Sequence, residues 1–465
     1  MKKIFIIILL LVSAFAQAQT SVWDGSRQIW TQGTGTQEDP FLIESAANLA
    51  FLSYMVGKGF NTEDVYFALT TDIDLNGNED QQWIPIGLKN DAYYEDGCER
   101  YCSPVGVDAS DLTFKGHFDG RDHSIMNIYI NKETGAAGLF GALSSVESQT
   151  VVENVFVTSG YIKAQKCGGI VGTCDVTAET DIMIARCWNG ADIEGLYVGG
   201  IVGERADKIH NCYNVGSVNG VSASGGIAGS MATEVVECYN NGEVSSDSYS
   251  GGILGGSARG NVDIRNCYNT GNVSSTGISA PSTIPGSPVG GIVGVAFQGD
   301  NIVFNCYNVG TVSCDIAMPG GVLGIIGSSG TVENVYYLDV CGGEGEGEIM
   351  TAEEMRAPAF VDALNLETNV WCSDTLNIND GYPILGANNL AVDESTISQL
   401  TVYPNPSHGK FVVEGTGELM VFNVLGQTVL TQEVKEQVAL ELPQGLYIIR
   451  LRSGETFAQQ KLIVR

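Results

Sequence analysis

A short glycine element, Gly-Gly-apolar-apolar-Gly, recurs through the middle of the chain and constrains the fold more than any other sequence feature. Its copies are Gly168–Gly172, Gly199–Gly203, Gly225–Gly229, Gly251–Gly255, Gly290–Gly294 and Gly320–Gly324. They begin 31, 26, 26, 39 and 30 residues apart. Spacing of this kind indicates a repeat architecture, in which each repeat stacks on the next. The Ser/Pro/Gly-rich stretch 274–288 predicts a loop insertion within the longest step.

A second element, cysteine followed by an aromatic residue and asparagine, alternates with the first. Its copies are Cys187-Trp188-Asn189, Cys212-Tyr213-Asn214, Cys238-Tyr239-Asn240, Cys267-Tyr268-Asn269 and Cys306-Tyr307-Asn308. Each repeat therefore holds three apolar pieces that are too short and too β-branched for helices. One coil of a parallel β-helix per repeat fits this pattern. A propeller is the alternative, but its blades need about 40–45 residues.

Stacked coils place equivalent side chains about 4.8 Å apart. We therefore expect an inward ladder of the five cysteines Cys187, Cys212, Cys238, Cys267 and Cys306. We expect glycines to supply positive φ angles at the corners of each coil. The asparagines Asn189, Asn214, Asn240, Asn269 and Asn308 are predicted to occupy left-handed corners and to hydrogen-bond along the stack.

The segment Gly138-Leu139-Phe140-Gly141 is a literal Gly-Leu-x-Gly motif, and the chain from about residue 22 to 386 resembles GLUG-motif proteins. The resemblance implies a parallel β-helix that is capped at both ends. Ser45 is a plausible N-cap for a helix that ends at Gly57 or Gly59 and covers the N-terminal coil. A second short helix is expected over Thr351–Leu364.

The N-terminus has the pattern of a cleaved secretory signal. Lys2-Lys3 precede an apolar run from Ile4 to Val12, and Ala16 and Ala18 form the small-x-small cleavage pattern. A membrane anchor is the alternative, but the run is too short to span about 30 Å of hydrocarbon. No later run reaches 18 apolar residues, so we expect no transmembrane segment in the mature chain.

The last seventy residues contain alternating apolar runs separated by Gly and Pro, which predict a small antiparallel β-sandwich. Their motif residues are Tyr403, Pro404, Asn405, Pro406, Gly409, Gly426, Gly445 and Lys461. In their order and in their residues, these motifs resemble the C-terminal sorting domain of the type IX (Por) secretion system. The resemblance implies export across both membranes, with this domain read by the translocon and usually removed. A generic immunoglobulin-like module is the alternative.

These features divide the chain into six expected segments. They are a signal peptide at 1–18, an N-terminal cap and first coils at 19–130, GLUG-type repeats at 131–340, a C-terminal cap at 341–386, a linker at 387–397 and the sorting domain at 398–465. The fold class is all-β: a parallel β-helix solenoid with short capping helices, followed by the sandwich.

Charge narrows the possible partners. The chain has a net charge of −31, and residues 19–395 alone carry −33. This acidity argues against nucleic acid as a partner, because phosphate binding requires a positive surface.

Catalytic motifs are scarce. In some members of the resembled family this module precedes a zinc protease domain that cleaves immunoglobulin A. Zinc-dependent proteolysis of that kind needs a His-Glu-x-x-His motif. None of His117, His123, His210 and His408 is followed by Glu. We expect structural corner roles for His117 and His123, with a ligand role as the alternative. No Asp-Asp pair or Gly-His-Gly of a polysaccharide-degrading β-helix is present, which lowers the glycan-degrading hypothesis without eliminating it.

Metal and disulfide candidates are weak. Asp72, Asp74 and Asn76 begin like a calcium loop, but Trp83 stands where the loop needs Glu, so a strand end followed by a turn is favoured. Cys98 and Cys102 are the best disulfide pair, with a zinc site as the alternative. Weaker disulfide candidates are Cys167 with Cys174 and Cys314 with Cys341.

The sequence thus predicts a secreted or surface-attached β-helix that acts as a binding or adhesion module. Its ligand is an extracellular glycan or protein held on the lateral face of the solenoid, with no catalytic residue and no resident cofactor. The exposed aromatic candidates are Tyr93, Tyr94 and Tyr101, which could equally pack an insertion against the coils. A glycan-degrading lyase or hydrolase is the alternative.

Overall fold

The structure is a computed structural model of the full chain. It describes residues 20–88, 112–177, 180–257, 261–277, 289–327, 330–374, 377–386, 400–403, 407, 409–423, 428–443, 445–453 and 456–464. The signal peptide with Ala16 and Ala18, the pair Cys98 and Cys102, the tyrosines Tyr93, Tyr94 and Tyr101, and His408 lie outside the described residues.

The N-terminal region builds the first coils and one helix. Its elements are β1 (Ser21–Val22), β2 (Phe41–Ile43), α1 (Ala46–Val56), β3 (Tyr66–Leu69), β4 (Ile73–Asp74), β5 (His117–Asp119), β6 (Ser124–Met126), β7 (Ile128–Asn131), β8 (Ala136–Ala137) and β9 (Phe140–Leu143).

The repeat region consists of strands. They are β10 (Thr150–Glu153), β11 (Phe156–Val157), β12 (Gly160–Gly168), β13 (Val171–Cys174), β14 (Ile182–Ala185), β15 (Trp188–Asn189), β16 (Asp192–Gly199), β17 (Val202–His210), β18 (Tyr213–Asn214), β19 (Val218–Gly225), β20 (Ala228–Val236), β21 (Tyr239–Asn240), β22 (Val244–Ser246), β23 (Tyr249–Gly251), β24 (Leu254–Ser257), β25 (Asp263–Arg265), β26 (Tyr268–Asn269), β27 (Val273–Ser275), β28 (Val289–Gly290), β29 (Val293–Ala296), β30 (Ile302–Asn308), β31 (Val312–Cys314), β32 (Leu323–Ile326) and β33 (Thr331–Leu338).

The C-terminal elements form a cap and a separate small domain. They are β34 (Glu348–Met350), α2 (Ala352–Arg356), α3 (Pro358–Leu364), β35 (Trp371–Cys372), β36 (Ile384–Leu385), β37 (Thr401–Tyr403), β38 (Lys410–Glu414), β39 (Gly417–Asn423), β40 (Thr428–Val434), β41 (Gln437–Glu441), β42 (Gly445–Ser453) and β43 (Thr456–Val464).

The solenoid is a parallel β-helix, as the repeat spacing predicts. A 24-stranded sheet and a 10-stranded sheet wind around one core, and successive coils pair in parallel. Register follows the repeat: Gly199 pairs with Gly225, and Gly225 with Gly251. The pairing continues from Gly251 to Gly290 across the longest step, so the extra residues of that step leave the coil register unchanged.

The glycine element has a packing origin. Its third residue enters the core, and Ile170, Ile201, Ile227, Ile253 and Ile292 are completely buried. The second glycine lies against the next coil. A Cβ on Gly226 would stand 2.1 Å from the carbonyl oxygen of Gly252 and 2.3 Å from Cγ of Asn240. No side chain fits there, because real Cβ atoms keep more than about 3 Å from such neighbours.

The expected backbone corners are wrong in position. Neither the glycines of the repeated element nor the ladder asparagines have positive φ. The left-handed residue lies three positions before each ladder asparagine, with φ between 51° and 57°. These residues are Arg186, Asn211, Glu237, Asn266 and Asn305. The asparagine side chain must point inward to bond along the stack, so the chain turns before it and not at it.

Both ends of the solenoid carry helices. In α1 the Ser45 hydroxyl accepts a hydrogen bond from the Asn48 backbone N–H at 3.2 Å, while Leu49 and Val56 are completely buried. The expected second helix is two helices, α2 and α3. They are separated at Ala357, whose extended backbone (ψ 146°) is what a residue before proline prefers.

The C-terminal domain is an antiparallel sandwich of three and four strands, in the orders β37-β38-β41 and β40-β39-β42-β43. Its own core includes Val413, Val421, Ile449 and Leu462, each completely buried. Because this core is separate from that of the solenoid, the sandwich is a second domain.

Candidate functional site

An aromatic row follows the outer side of the Cys-aromatic-Asn strands. In each coil the cysteine and the asparagine are completely buried, so the residue between them points outward. In-register pairing of β11, β15, β18, β21, β26 and β30 aligns these residues. The row consists of Phe156, Trp188, Tyr213, Tyr239, Tyr268 and Tyr307.

From Trp188 to Tyr307 the rings of the row stack face to face, whereas Phe156 meets Trp188 edge to face. Centroid separations are 5.7 Å from Trp188 to Tyr213 and 4.8 Å from Tyr213 to Tyr239, and the latter pair is inclined by only 5°. The stack therefore presents ring edges and phenol oxygens to its surroundings. This row is not among the sites predicted above; its sequence signal is the aromatic residue at the centre of every Cys-x-Asn triplet, to which the structure adds Phe156.

The C-terminal cap covers one end of the row. The Trp371 ring lies 5.5 Å from that of Tyr307, and the Asn379 side-chain amide donates to the Tyr307 hydroxyl at 2.9 Å. Tyr307 is completely buried, whereas Trp188, Tyr213 and Tyr239 are half-buried. The accessible part of the row is thus its centre.

Burial keeps the tyrosines of the row neutral. It raises the pKa of Tyr213 to about 12. The pKa of Tyr239 is also raised, first by burial and then by the adjacent rings of Tyr268 and Tyr213. At physiological pH these phenols are therefore hydrogen-bonding groups and not anions.

The asparagines beneath the row form a continuous hydrogen-bonded ladder. Asn189 Nδ2 donates to Asn214 Oδ1, and Asn214 Nδ2 donates to Asn240 Oδ1, each at 2.8 Å. The ladder continues at the same distance through Asn269 to Asn308. Each of these side chains is completely buried, so the ladder holds neighbouring coils in register.

The five ladder cysteines face the interior. The Cys187 backbone N–H lies 3.4 Å from Cys212 Sγ, and the contact repeats along the stack to Cys306. Burial raises the pKa values of Cys267 and Cys306 well above normal. Protonated, enclosed thiols are packing groups rather than nucleophiles.

Disulfides are absent from the ten cysteines in the described ranges. The suggested pairs of Cys167 with Cys174 and Cys314 with Cys341 are therefore wrong. The cysteines that lie near one another belong to strands of successive coils, where they pack as small apolar side chains.

The calcium candidates are engaged by protein groups. Asp72 Oδ1 accepts from the Ser124 N–H at 2.9 Å and contacts His123 Nδ1 at 3.1 Å. Asp74 Oδ1 accepts from the Asn76 N–H at 2.7 Å, and Asn76 has φ 47°. This is the geometry of a strand end followed by a turn. Among the described residues no three His, Cys, Asp or Glu side chains group to hold a metal.

The remaining histidines have structural partners. The His117 ring stacks on Tyr66 at 4.1 Å, and burial lowers its pKa. His210 contacts the Glu234 carboxylate.

A cleft of about 330 Å³ lies beside α1, with Trp23 and Trp83 among its lining residues. At its edge the Arg27 guanidinium lies 4.7 Å from the Tyr54 ring centroid.

The sorting motif residues are spread over the sandwich. Tyr403 ends β37 and bonds the Glu414 carboxylate, Gly409 (φ 100°) precedes β38, Gly445 begins β42, and Lys461 lies in β43. Pro404, Asn405, Pro406 and Gly426 lie outside the described residues.

Residues 401–465 match the family model of the secretion system C-terminal sorting domain, Por_Secre_tail. This match confirms the predicted type IX sorting domain and places the protein outside the cell, secreted or at the cell surface. In the described parts of the chain, no helix combines the length and apolarity needed to cross a membrane.

A curated relative from Evansella cellulosilytica, named as a candidate Gly-rich membrane protein, is 30% identical over 170 residues. The alignment covers 36% of this chain and 16% of that protein, so the chain spans about a sixth of its relative's length. A crystal structure of a candidate immunoglobulin A1 protease from Bacteroides ovatus superposes with a TM-score of 0.52. It is 23% identical and covers 77% of this chain and 95% of that one. This likeness supports the β-helix fold and nothing further.

Proposed function

We propose that the solenoid is an extracellular binding or adhesion module that the sorting domain delivers through the type IX translocon. The observation that carries this proposal is the accessible centre of the aromatic row, Trp188, Tyr213 and Tyr239. A rigid solenoid presents such a row as a straight line of equivalent groups.

The chemistry of the row favours an extended polymer as ligand. Tyr213 and Tyr239, whose ring centroids lie 4.8 Å apart, offer two neutral phenol groups beside the Trp188 ring, so a chain lying along the accessible centre meets two hydrogen-bonding groups and one indole in succession. Ring edges supply apolar contact between them. A glycan chain or an extended peptide satisfies this arrangement.

The Gly-Leu-x-Gly motif and the β-helix fold together support membership of the GLUG group for residues 22–386. Protease activity is not carried over from the name of the structural neighbour, since the sequence contains no His-Glu-x-x-His.

A glycan array and a peptide array test the binding proposal. Both are probed with the chain that lacks the signal peptide and keeps the sorting domain, residues 19–465. The double variant Tyr213→Phe/Tyr239→Phe keeps the stacked rings and removes two hydroxyls. We expect it to bind at least about tenfold more weakly, the effect of losing hydrogen bonds worth ~1.4 kcal/mol. Tyr249→Phe, in β23 of the other sheet, is the matched control. If the double variant binds as tightly as the control, the aromatic row is not the binding site. Turnover of a glycan would overturn the non-enzymatic proposal.

The export step has a separate test. Deleting residues 398–465 is expected to trap the solenoid inside the cell, and an extracellular deletion product would contradict the role of the sorting domain.

A further inference from the structure

Arg450 of the sorting domain lies against the first ring of the aromatic row. Its guanidinium carbon is 5.8 Å from the Phe156 ring centroid of the solenoid and 5.5 Å from the Phe422 ring centroid of the sandwich. One cation thus contacts a ring from each domain, which is a geometry of cation–π attraction.

The outer face of the four-stranded sheet supplies this contact. In β42, Ile449 and Leu451 point into the sandwich core, so Arg450 and Arg452 share the opposite face. Met420 pairs with Arg450 on the neighbouring strand, and Phe422 is two residues further along it. This face therefore combines the cations of Arg450 and Arg452 with the apolar side chains of Met420, Phe422 and Ile448, and Glu418 lies opposite Arg452 on it.

The solenoid presents opposite charge at the same place. Burial lowers the pKa of Arg450, and the carboxylates of Asp122 and Asp72 oppose this by favouring the charged guanidinium. Reciprocally, Arg450 and Arg452 oppose the rise that burial causes in the pKa of Asp122. Charge complementarity of this kind orients one surface on another.

We infer that the sorting domain docks on the solenoid through Arg450, which lies over Phe156, with Arg452 and the opposing charge of Asp122 adding electrostatic attraction, and that it covers the start of the aromatic row until it is removed. The occupant of this surface before cleavage is therefore β42 of the same chain. Removal of the sorting domain then uncovers Phe156 and the adjacent part of the row.

Docking does not require high intrinsic affinity. The two domains belong to one chain, so their effective concentration is on the order of millimolar, and a few weak contacts suffice to hold them together. For the same reason, the loss of one contact shifts the docked population measurably.

Hydroxyl-radical footprinting of the mature full-length chain at low salt tests this inference, because it reports the exposure of individual aromatic side chains. Arg450→Gln removes the cation. Asp122→Asn removes the opposing charge and keeps a residue that tolerates the observed φ of 60°. Lys410→Gln, on the other sheet of the sandwich, is the matched control.

We expect Arg450→Gln and Asp122→Asn each to raise the oxidation rate of Phe156 about threefold to tenfold, the effect of losing a cation–π contact or a screened ion pair. The double variant should gain little more, because both substitutions break the same contact. Sodium chloride at 1 M should have the same effect, because it shortens the Debye length to about 3 Å. Lys410→Gln should match the wild type.

Tyr129 and Tyr161, whose tilted rings lie 5.9 Å apart elsewhere on the solenoid, serve as internal references. Near-ultraviolet circular dichroism checks that each variant is folded, and small-angle X-ray scattering should show a larger radius of gyration when docking is lost. Unchanged Phe156 oxidation and an unchanged radius in both single variants would overturn the inference. The array experiment addresses ligand binding separately, so either proposal can fail alone.

Discussion

Replacing Asn214 by alanine removes the second residue of the asparagine ladder and both of the ladder hydrogen bonds that it makes. Asn214 Nδ2 donates to the Gly216 carbonyl oxygen and to Asn240 Oδ1, and Asn214 Oδ1 accepts from Asn189, all at 2.8 Å. The side chain is completely buried, so water cannot replace these bonds without opening the coil.

The expected loss follows from what each partner retains. Asn189 Nδ2 still donates to the Ala191 carbonyl at 2.9 Å, and Asn240 Oδ1 still accepts from the Gly242 N–H at 3.2 Å. The Gly216 carbonyl loses the amide that binds it. One buried acceptor deprived of its donor and two weakened bonds together amount to about 3–5 kcal/mol.

Urea unfolding followed by far-ultraviolet circular dichroism gives the free energy of unfolding of the wild type and the variant. Asn219→Ala is the matched control, because Asn219 lies in the same repeat but is exposed, with its Oδ1 accepting a hydrogen bond from the Ser245 hydroxyl. We expect this control to cost less than about 0.5 kcal/mol. If Asn214→Ala lowers the free energy of unfolding by less than about 1 kcal/mol, or if the control lowers it equally, the ladder does not stabilise the fold as argued here.

Two further predictions follow from packing and charge. Gly226→Ala should destabilise the fold by roughly 3 kcal/mol or prevent folding, because its Cβ meets backbone at 2.1 Å, whereas Gly256→Ala, with no atom nearer than 3.7 Å, should be nearly neutral in thermal unfolding. Hydrogen bonds from Lys208 and Gln149 lower the pKa of Asp181 in the folded protein below its usual value of 3.8. The Asp181 carboxylate therefore stabilises the fold fully above pH 3.8, and this stabilisation is lost as the pH falls through the lowered pKa. Asp181→Asn should therefore flatten the fall in melting temperature below pH 4, and an unchanged acid slope relative to the wild type would contradict this assignment.

Much of the solenoid could be predicted because its determinants are local and repeated. The spacing of the glycine element predicts one coil per repeat, and the observed pairing of Gly199 with Gly225 follows it. The Ser45 cap was also visible, since an N-cap acts within one turn of its own helix. The sorting domain was recognisable from its ordered motifs and is confirmed by the family match.

The structure differs from the sequence-based predictions where two local conformational tendencies compete. Asparagine tolerates the left-handed region, which predicts the ladder asparagines at corners. Burial of their amides instead moves the corner to residues such as Arg186 and Glu237. The helix over Thr351–Leu364 divides at Ala357, because Pro358 excludes the helical conformation from the residue before it.

The sequence by itself determined the destination of the protein, the repeat length and the inward position of the five ladder cysteines, because sorting motifs and a periodic pattern can be recognised along the chain. Tertiary structure alone decided which aromatic residues form one row, how the cap covers Tyr307, and that Arg450 reaches Phe156 from nearly three hundred residues away. These are contacts between distant segments, and their geometry depends on how the coils stack and how the second domain lies on them, which no local preference specifies.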